Sequence, residues 1–487
     1  MVVGFGALVV LDRRNGTLRD DVVPDTVMWF MVAWLGWAVA MVALERIARP
    51  ATIRTGGAAT IPWTIPWTIP WTGLIALGLV LRVALVFTEP TLSDDVYRYL
   101  WEGHLVTEGV SPYAFPPSSP SAERYDIAIR AQVNNDTLAS PYLPIAHALF
   151  GVSATVLPPA PWTMQTLMIG FDLLGLVFLI RLLRVAGIAE HRAMLYWLNP
   201  LVIVEVAHGA HIDAVIVGLA LAGVYFTLLS GRRHDARRSW GPLLVAAATL
   251  TRPLTALFAP VLWWQWSWRQ RVVWGAGLGV PVLIAAAFVG VGDESTGTGL
   301  VGSAQSYAET FRFNSAVYQP LETWISGLGL DDRGWNEPLA LTRLIVAVVV
   351  VLILATVFVR ARHATEPRAV LRWLAVPVVA YVLLAPVFHP WYVLLLLALV
   401  PFMTPADDET RGRWLDAAPW LPLSGLLIFS YLTYEDPAAF AERDWVRRLQ
   451  WWPTLALVVV ASARRIVVRR PPHSDGERSG ASDMMSA

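Results

Sequence analysis

Read for apolar and polar positions, the chain alternates long apolar runs with short junctions that carry arginine. A helix needs about 20 apolar residues to cross a bilayer, and on that measure the runs predict an all-α, polytopic transmembrane helix bundle of about thirteen spans. The candidate spans are Val27–Leu44, Pro66–Thr88, Trp162–Ile180, Arg192–Val206, Ile212–Leu229, Pro242–Thr251, Pro253–Trp268, Val272–Val291, Leu341–Val359, Leu371–Phe388, Trp391–Met403, Ala418–Leu432 and Gln450–Ala463. Pro242–Thr251 and Pro253–Trp268 read equally as one span kinked at Pro253. The segment Pro141–Leu157 is short, carries Pro141 and Pro144 at its start, and is expected to lie along the outer membrane surface. The opening run Met1–Leu11 is also short, and Arg13 and Arg14 follow it, whereas a signal peptide puts its charge first. No cleavable signal is expected there; a clipped span is the alternative.

The arginines then orient the bundle. Clusters Arg46/Arg49/Arg54, Arg181/Arg184/Arg192, Arg232/Arg233/Arg237/Arg238, Arg269/Arg271, Arg360/Arg362/Arg368/Arg372, Arg411/Arg413 and Arg464/Arg465/Arg469/Arg470 fall at every second junction. Cytoplasmic loops collect basic residues, so this face is expected to be cytoplasmic, and the alternate junctions extracytoplasmic. The resulting organisation is an N-terminal segment 1–26, two spans in 27–88, a large extracytoplasmic loop 89–161, core spans 162–291, a second outer loop 292–340, C-terminal spans 341–463 and a cytoplasmic, disordered tail 464–487. Composition agrees: 56% of the chain is hydrophobic and 15% charged, against about 25% charged in soluble proteins. A formal net charge of zero gives no reason to expect nucleic acid as a partner, and the absence of cysteine removes disulfides and thiolate metal sites. The tandem IPWT repeat in Thr60–Thr72 reads as replication slippage.

Against this apolar background the polar residues of the outer side stand out, because an ionisable group at membrane depth costs at least ~2.5 kcal/mol. The stretch Ser93–Pro117, SDDVYRYLWEGHLVTEGVSPYAFPP, opens on Asp94 and Asp95. Adjacent carboxylates raise each other's pKa, which suits a general base; a divalent metal, or a helix N-terminus capped by Ser93 or Asp94, are the other readings. An amphipathic helix follows, with Val96, Tyr99, Leu100 and Leu105 on its apolar side and Arg98, Glu102 and His104 as its polar members. In NPLVIVEVAHGAHID, Asn199 is followed by Glu205, His208, His211 and Asp213. If helical, His208 and His211 share part of a face, while Gly209 signals a turn; hydrogen bonding to a sugar or phosphate is favoured over a metal. Arg252 runs against the charge bias, and suits either phosphate or an ion pair with Glu205. His389-Pro390-Trp391-Tyr392 could meet a sugar ring or a phosphate, or anchor the interface. Glu309, Arg312 and Asn314 offer acceptor-binding surface. With no Gly-rich phosphate cradle, neither a nucleotide-sugar nor an ATP site is indicated.

SDDVYRYLWEG…GVSPYAFPP resembles the first outer loop of the GT-C superfamily of polytopic glycosyltransferases, above all bacterial polyprenyl-phosphomannose-dependent mannosyltransferases. WLNPLVIVEVAHGAHIDAV, LTRPLTALFAPVL and FHPWYVLLLLALVP are similar to later blocks of that group, and the resemblance covers Thr91–Pro117, Leu195–Val217, Leu250–Pro260 and Val387–Pro401. It implies inverting transfer of a hexosyl group, expected to be mannosyl, from a polyprenyl-phosphate donor to an extracytoplasmic glycan or glycolipid at the plasma membrane. Asp95 would be the general base, with Asp94 the second choice. Arg252 and His389 would hold the donor phosphate, and Tyr97, Arg98, Tyr99, Asn199, Glu205, His208, His211, Asp213, Trp391 and Tyr392 would line the pocket. The lipid-linked sugar is a co-substrate, no further cofactor is called for, and a divalent metal stays open. The usual Y-P-P-L reads Pro141-Tyr142-Leu143-Pro144 here, with Asn134 and Asn135 some way before it, so no acceptor contact is assigned there. A transporter or flippase for lipid-linked sugars is the alternative; it would favour inverted repeats and mid-membrane acids, whereas Asp94 and Asp95 fall at an interface.

Overall fold

A computed structural model describes residues 1–15, 23–48, 71–90, 92–230, 240–289, 298–299, 302–303, 311–328, 338–404, 414, 416–435 and 442–468. The IPWT repeat up to residue 70, Arg49, Arg54, the arginines of 232–238, Glu309, Arg411, Arg413 and the tail from Arg469 fall outside them, as does most of the second outer loop. The described chain is helical: α1 Val2–Asn15, α2 Val23–Ile47, α3 Trp71–Leu85, α4 Asp95–Thr107, α5 Pro144–Val156, α6 Pro161–Val185, α7 Asp213–Ser230, α8 Trp240–Thr249, α9 Trp268–Val289, α10 Tyr318–Ser326, α11 Pro338–Ala361, α12 Pro367–Leu384, α13 Leu394–Met403, α14 Trp420–Leu426 and α15 Asp444–Val468, with short helical turns between them. Among the described residues the extended pairing is one isolated parallel bridge, Phe313 to Val387.

Five of these helices are long and apolar enough to cross a membrane, α2, α6, α9, α11 and α12, with a sixth if Pro200–His208 and Asp213–Leu229, bent by 114°, form one span. The other candidate spans that fall within the described residues resolve into shorter apolar helices or, at Gln450–Ala463, into part of α15. Proline is one reason. Pro253 and Pro390 each stand at the first position of a 3-10 turn, and the residues before them, Arg252 and His389, are extended. A residue preceding proline is driven out of the helical region, and proline itself starts a helix well. Pro242–Thr251 and Pro253–Trp268 are accordingly two separate helical segments. The first ends at Arg252, and the second returns to bring Trp266 onto Thr227, near the far end of α7, and Gln265 onto the carbonyl of Ala364.

The bundle has two chemically distinct ends. Near the start of α6, Gln165 donates to the carbonyls of Thr88 and His208; at its end, Arg184 pairs with Glu190. Likewise Thr26, early in α2, lies with His208 around a small apolar cavity, whereas Glu45 and Arg46 close α2 at the other end. α13 starts beside Trp391 and finishes at Thr404, which accepts from Arg192. Between the ends sits a fully buried ion pair. Arg82 of α3 approaches Asp172 of α6 at 2.7 Å, donates to the carbonyls of Gly78 and Trp197, and lies 3.6 Å from the Trp197 ring centroid. Tyr196 donates to the other carboxylate oxygen of Asp172.

The loop after α3 departs from the simple amphipathic expectation. Arg98 and Glu102 of α4 are buried along with its apolar residues, because the segment 134–147 covers them. Arg98 donates to the carbonyls of Asn134, Asn135 and Leu138, and Glu102 accepts from Ser140 and lies 3.2 Å from His147. α5 crosses α4 so closely that a Cβ on Gly103 would come within 2.6 Å of the Phe150 carbonyl oxygen. The segment read as a surface helix is thus the partner that packs α4 down.

Candidate active site

The site is built where α4, the 114° bend, the Arg252 turn and the His389 turn converge. Ser93 Oγ accepts from the backbone N–H of Asp95, satisfying one of the free donors at the start of α4. Asp94 holds the N-cap position but its side chain makes no capping bond. Asp95, in the first turn, accepts from Asn134 Nδ2 at 2.9 Å. Its other carboxylate oxygen stands 3.8 Å from Nδ1 of His211.

His211 arrives there through an unusual backbone. Val204–His208 forms a π-helical turn, and Ala210 then adopts φ 53°, a left-handed conformation costly for a side-chain-bearing residue. Gly209 lets the chain fold over the imidazole, since a Cβ there would meet the His211 ring at 2.7 Å. On its far side His211 lies 3.2 Å from Glu205, whose carboxylate accepts from Tyr431 at 2.9 and 3.0 Å. Its ring stacks on Trp391 with centroids 3.7 Å apart, Trp391 stacks on His389 at 4.5 Å, and His389 on Phe313 at 4.9 Å. Asp213, opening α7, accepts two bonds from one guanidinium nitrogen of Arg252, at 2.9 and 2.7 Å. That guanidinium lies 4.0 Å from the Tyr392 ring centroid. In this group the Asp95 and Arg252 side chains keep 18% and 19% exposure, while those of His211, Glu205 and Asp213 keep 0%, 1% and 4%. The groups of this cluster that solvent reaches are therefore a carboxylate and a guanidinium, with aromatic rings beside them.

The structure thus brings together Asp95, Glu205, His211, Asp213, Arg252, His389, Trp391 and Tyr392. The acid that pairs with Arg252 is Asp213; Glu205 is turned to Tyr431 and His211. His208 and His211 do not share a helix face, because the π turn and the bend part them, and His208 Nδ1 is bonded to Thr88 Oγ1. Arg98 serves the loop, Tyr97 donates to Glu89, and Asn199 caps Leu201 and donates to Ser424. Tyr99 stacks on Phe150 at 4.7 Å behind Asp95. Sequence reading missed Asn134 and Tyr431. The Asn134-Asn135 doublet sits in a polar stretch, 130–136, that gives it no distinguishing signal, and nothing local marks the second either. Among the described residues no group of three or more His, Asp or Glu side chains is disposed to hold a metal ion.

Burial raises the Asp95 carboxyl above the ordinary aspartate range; the Asn134 hydrogen bond and the Arg252 and Arg98 charges pull it back, and Asp94 pushes it up. A base works only when ionised, so if Asp95 is the base, kcat/KM falls as pH drops through this raised value. Asn134→Ala removes a bond that favours the charged form. It is expected to move the acidic limb of the kcat/KM profile to higher pH, whereas Asp94→Asn moves it lower; pH–rate profiles of the three proteins check both signs.

The family model for alpha-(1->6)-mannopyranosyltransferase, N-terminal domain, matches residues 11–268, more than half of the chain. The chain belongs to the MptA/MptB mannosyltransferase family. A second model, the MptB C-terminal domain, matches residues 323–413. Asp95, Glu205, His211, Asp213 and Arg252 fall in the first matched segment, and His389, Trp391 and Tyr392 in the second. The chain is 25% identical over 392 residues to alpha-(1->6)-mannopyranosyltransferase A of Mycobacterium tuberculosis, covering 74% of this chain and 67% of the relative. It is 26% identical over 371 residues to the protein of the same name from Corynebacterium glutamicum, 68% of this chain and 72% of the relative. A probable alpha-(1->6)-mannopyranosyltransferase of Mycolicibacterium smegmatis is 27% identical over 369 residues, 66% of this chain and 62% of the relative.

Proposed function

We propose that this family member transfers a mannosyl group from a polyprenyl-phosphate donor to a hydroxyl of an extracytoplasmic glycan or glycolipid, with inversion at the anomeric carbon. The observation that carries the reading is that a partly exposed carboxylate, Asp95, and a partly exposed guanidinium, Arg252 (held by Asp213), belong to one polar cluster at the end of the bundle away from the arginine clusters. Asp95 accepts the proton of the acceptor hydroxyl as the acceptor oxygen bonds to the anomeric carbon. The anomeric carbon–phosphate oxygen bond breaks, and polyprenyl phosphate leaves with the electron pair. Arg252, oriented by Asp213 and backed by Tyr392, stabilises that leaving charge; a guanidinium suits a phosphate well. His211 holds its ring against Trp391, within reach of both Asp95 and Glu205, and so fixes the carboxylate's surroundings. Activation resides in the donor phosphate, so no nucleotide site is needed. The positive-inside bias supports reading this end as the extracytoplasmic face of the plasma membrane. The α-(1→6) linkage in the relatives' names is the linkage we expect here.

The test is incubation of the purified protein with radiolabelled polyprenyl-phosphomannose and membrane glycolipids, followed by extraction and linkage analysis of the labelled product. Absence of transfer to any glycolipid, with the donor bound, would refute the reading. Arg252→Lys keeps a positive charge for buried Asp213 but loses the planar fork. It is expected to raise KM for the lipid donor about tenfold, the equivalent of roughly 1.4 kcal/mol, and to leave KM for the acceptor nearly unchanged.

A further inference from the structure

The opposite end of the bundle holds a second recess, independent of the reading above. A cavity of about 470 Å³ opens between the end of α2, the turn before Leu195 and α14, and its wall is almost wholly apolar, with Trp34, Trp37 and Trp414 among its lining. That volume is in the usual range for a small-molecule site. Glu45, at its rim, lies about 28 Å along α2 from Thr26 at about 1.5 Å per residue, so the cavity is remote from Asp95.

Three observations say what it fits. First, the polar groups gather at one edge only. Glu45 is engaged by His191 at 2.8 Å and by Arg192 at 3.1 Å, which neutralises it. Arg46 stands beside it, Arg192 also reaches Thr404 and lies near Trp414, and Arg368 and Arg372 donate to the Thr404 carbonyl. Among the described residues that line the cavity, two arginines, Arg46 and Arg192, stand against one carboxylate, Glu45. Second, Trp37 is 1% exposed, and its indole N–H has no hydrogen-bond acceptor among the described residues. A buried donor left unmade is costly, and an acceptor supplied from the cavity would satisfy it. Third, aromatic residues and a basic edge beside an apolar wall are the surroundings of a lipid headgroup at the cytoplasmic leaflet, where basic pockets between helices take acidic lipids.

We infer that this cavity is a binding site for an acidic phospholipid of the leaflet that meets the arginine-rich end. An acyl chain lies along the tryptophan wall, the phosphodiester sits at Arg46 and Arg192, and a lipid oxygen accepts from Trp37.

The test uses the purified full chain in neutral detergent, with phosphatidylglycerol and phosphatidylcholine of matched chains as probes, read by native mass spectrometry. Phosphatidylglycerol is expected to be retained about tenfold more strongly. Arg46→Glu, at the exposed rim, should remove that preference while leaving the thermal unfolding midpoint without lipid unchanged. Ala418→Trp, which fills the cavity, should abolish retention of both lipids. Equal retention of the two lipids, retention of neither, insensitivity to both variants, or stronger retention of a polyprenyl phosphate than of phosphatidylglycerol would each overturn the inference.

Discussion

Asp95→Asn is expected to lower turnover by about 10²–10⁴, the range for loss of a placed general base. The substitution is nearly isosteric. Its amide can still meet Asn134, either through its own oxygen or after Asn134 reverses its amide, so the start of α4 should hold. Donor binding should persist, because Arg252 keeps its hydrogen bonds to Asp213 and its place over the Tyr392 ring. The expected signature is therefore a fall in kcat with little change in KM for the lipid donor. Asp94→Asn is the control. It removes the neighbouring carboxylate but leaves Asp95 with Asn134 and His211, and should cost less than tenfold at neutral pH. A variant Asp95→Asn enzyme with near-normal turnover would sink the assignment.

The second large effect concerns folding. Arg82→Met is expected to destabilise the protein by about 3–5 kcal/mol, because it strands the Asp172 carboxylate in a fully buried site. The loss extends past one ion pair: Arg82 also holds the carbonyls of Gly78 and Trp197 and faces the Trp197 ring. Asp172→Leu alone should cost a similar amount by stranding the guanidinium. The double variant should recover part of it, since replacing both charges removes the desolvation penalty. Recovery is incomplete because the Tyr196 hydroxyl loses its acceptor, a further ~1–3 kcal/mol. Thermal unfolding of the three variants in detergent would measure these differences, and additive single effects would refute the coupling.

Much of the site was legible because its members are polar in an apolar chain. Asp95, Glu205, His211, Asp213, Arg252 and His389 each break a hydrophobic run, and the arginine bias put them on one side. What could not be read was who faces whom. Arg252 with Asp213, not Glu205, follows from the π turn at Val204–His208 and the left-handed Ala210, neither of which has a periodic signature. The Asp95–Asn134 bond depends on how 134–147 folds over α4, a non-local event. Arg82 and Asp172 lay in plain view inside two predicted spans, and pairing the ionisable residues of neighbouring spans would have found them. The spans themselves were harder. Arg252-Pro253 and His389-Pro390 cut apolar runs into helices shorter than a bilayer, so hydropathy alone does not tell a regular crossing from a broken one.

The stack of His211 on Trp391 and His389 mortises two parts of the chain that family models recognise separately, with Phe313, from the stretch between them, closing it. One contributes the charges, the other the flat surface against which they are aligned. Grafting the later portion from a relative would hence exchange the aromatic side of this residue cluster along with the helices that carry it. A chimera of that kind realigns the first portion's acidic and basic residues even when every one of them stays in place.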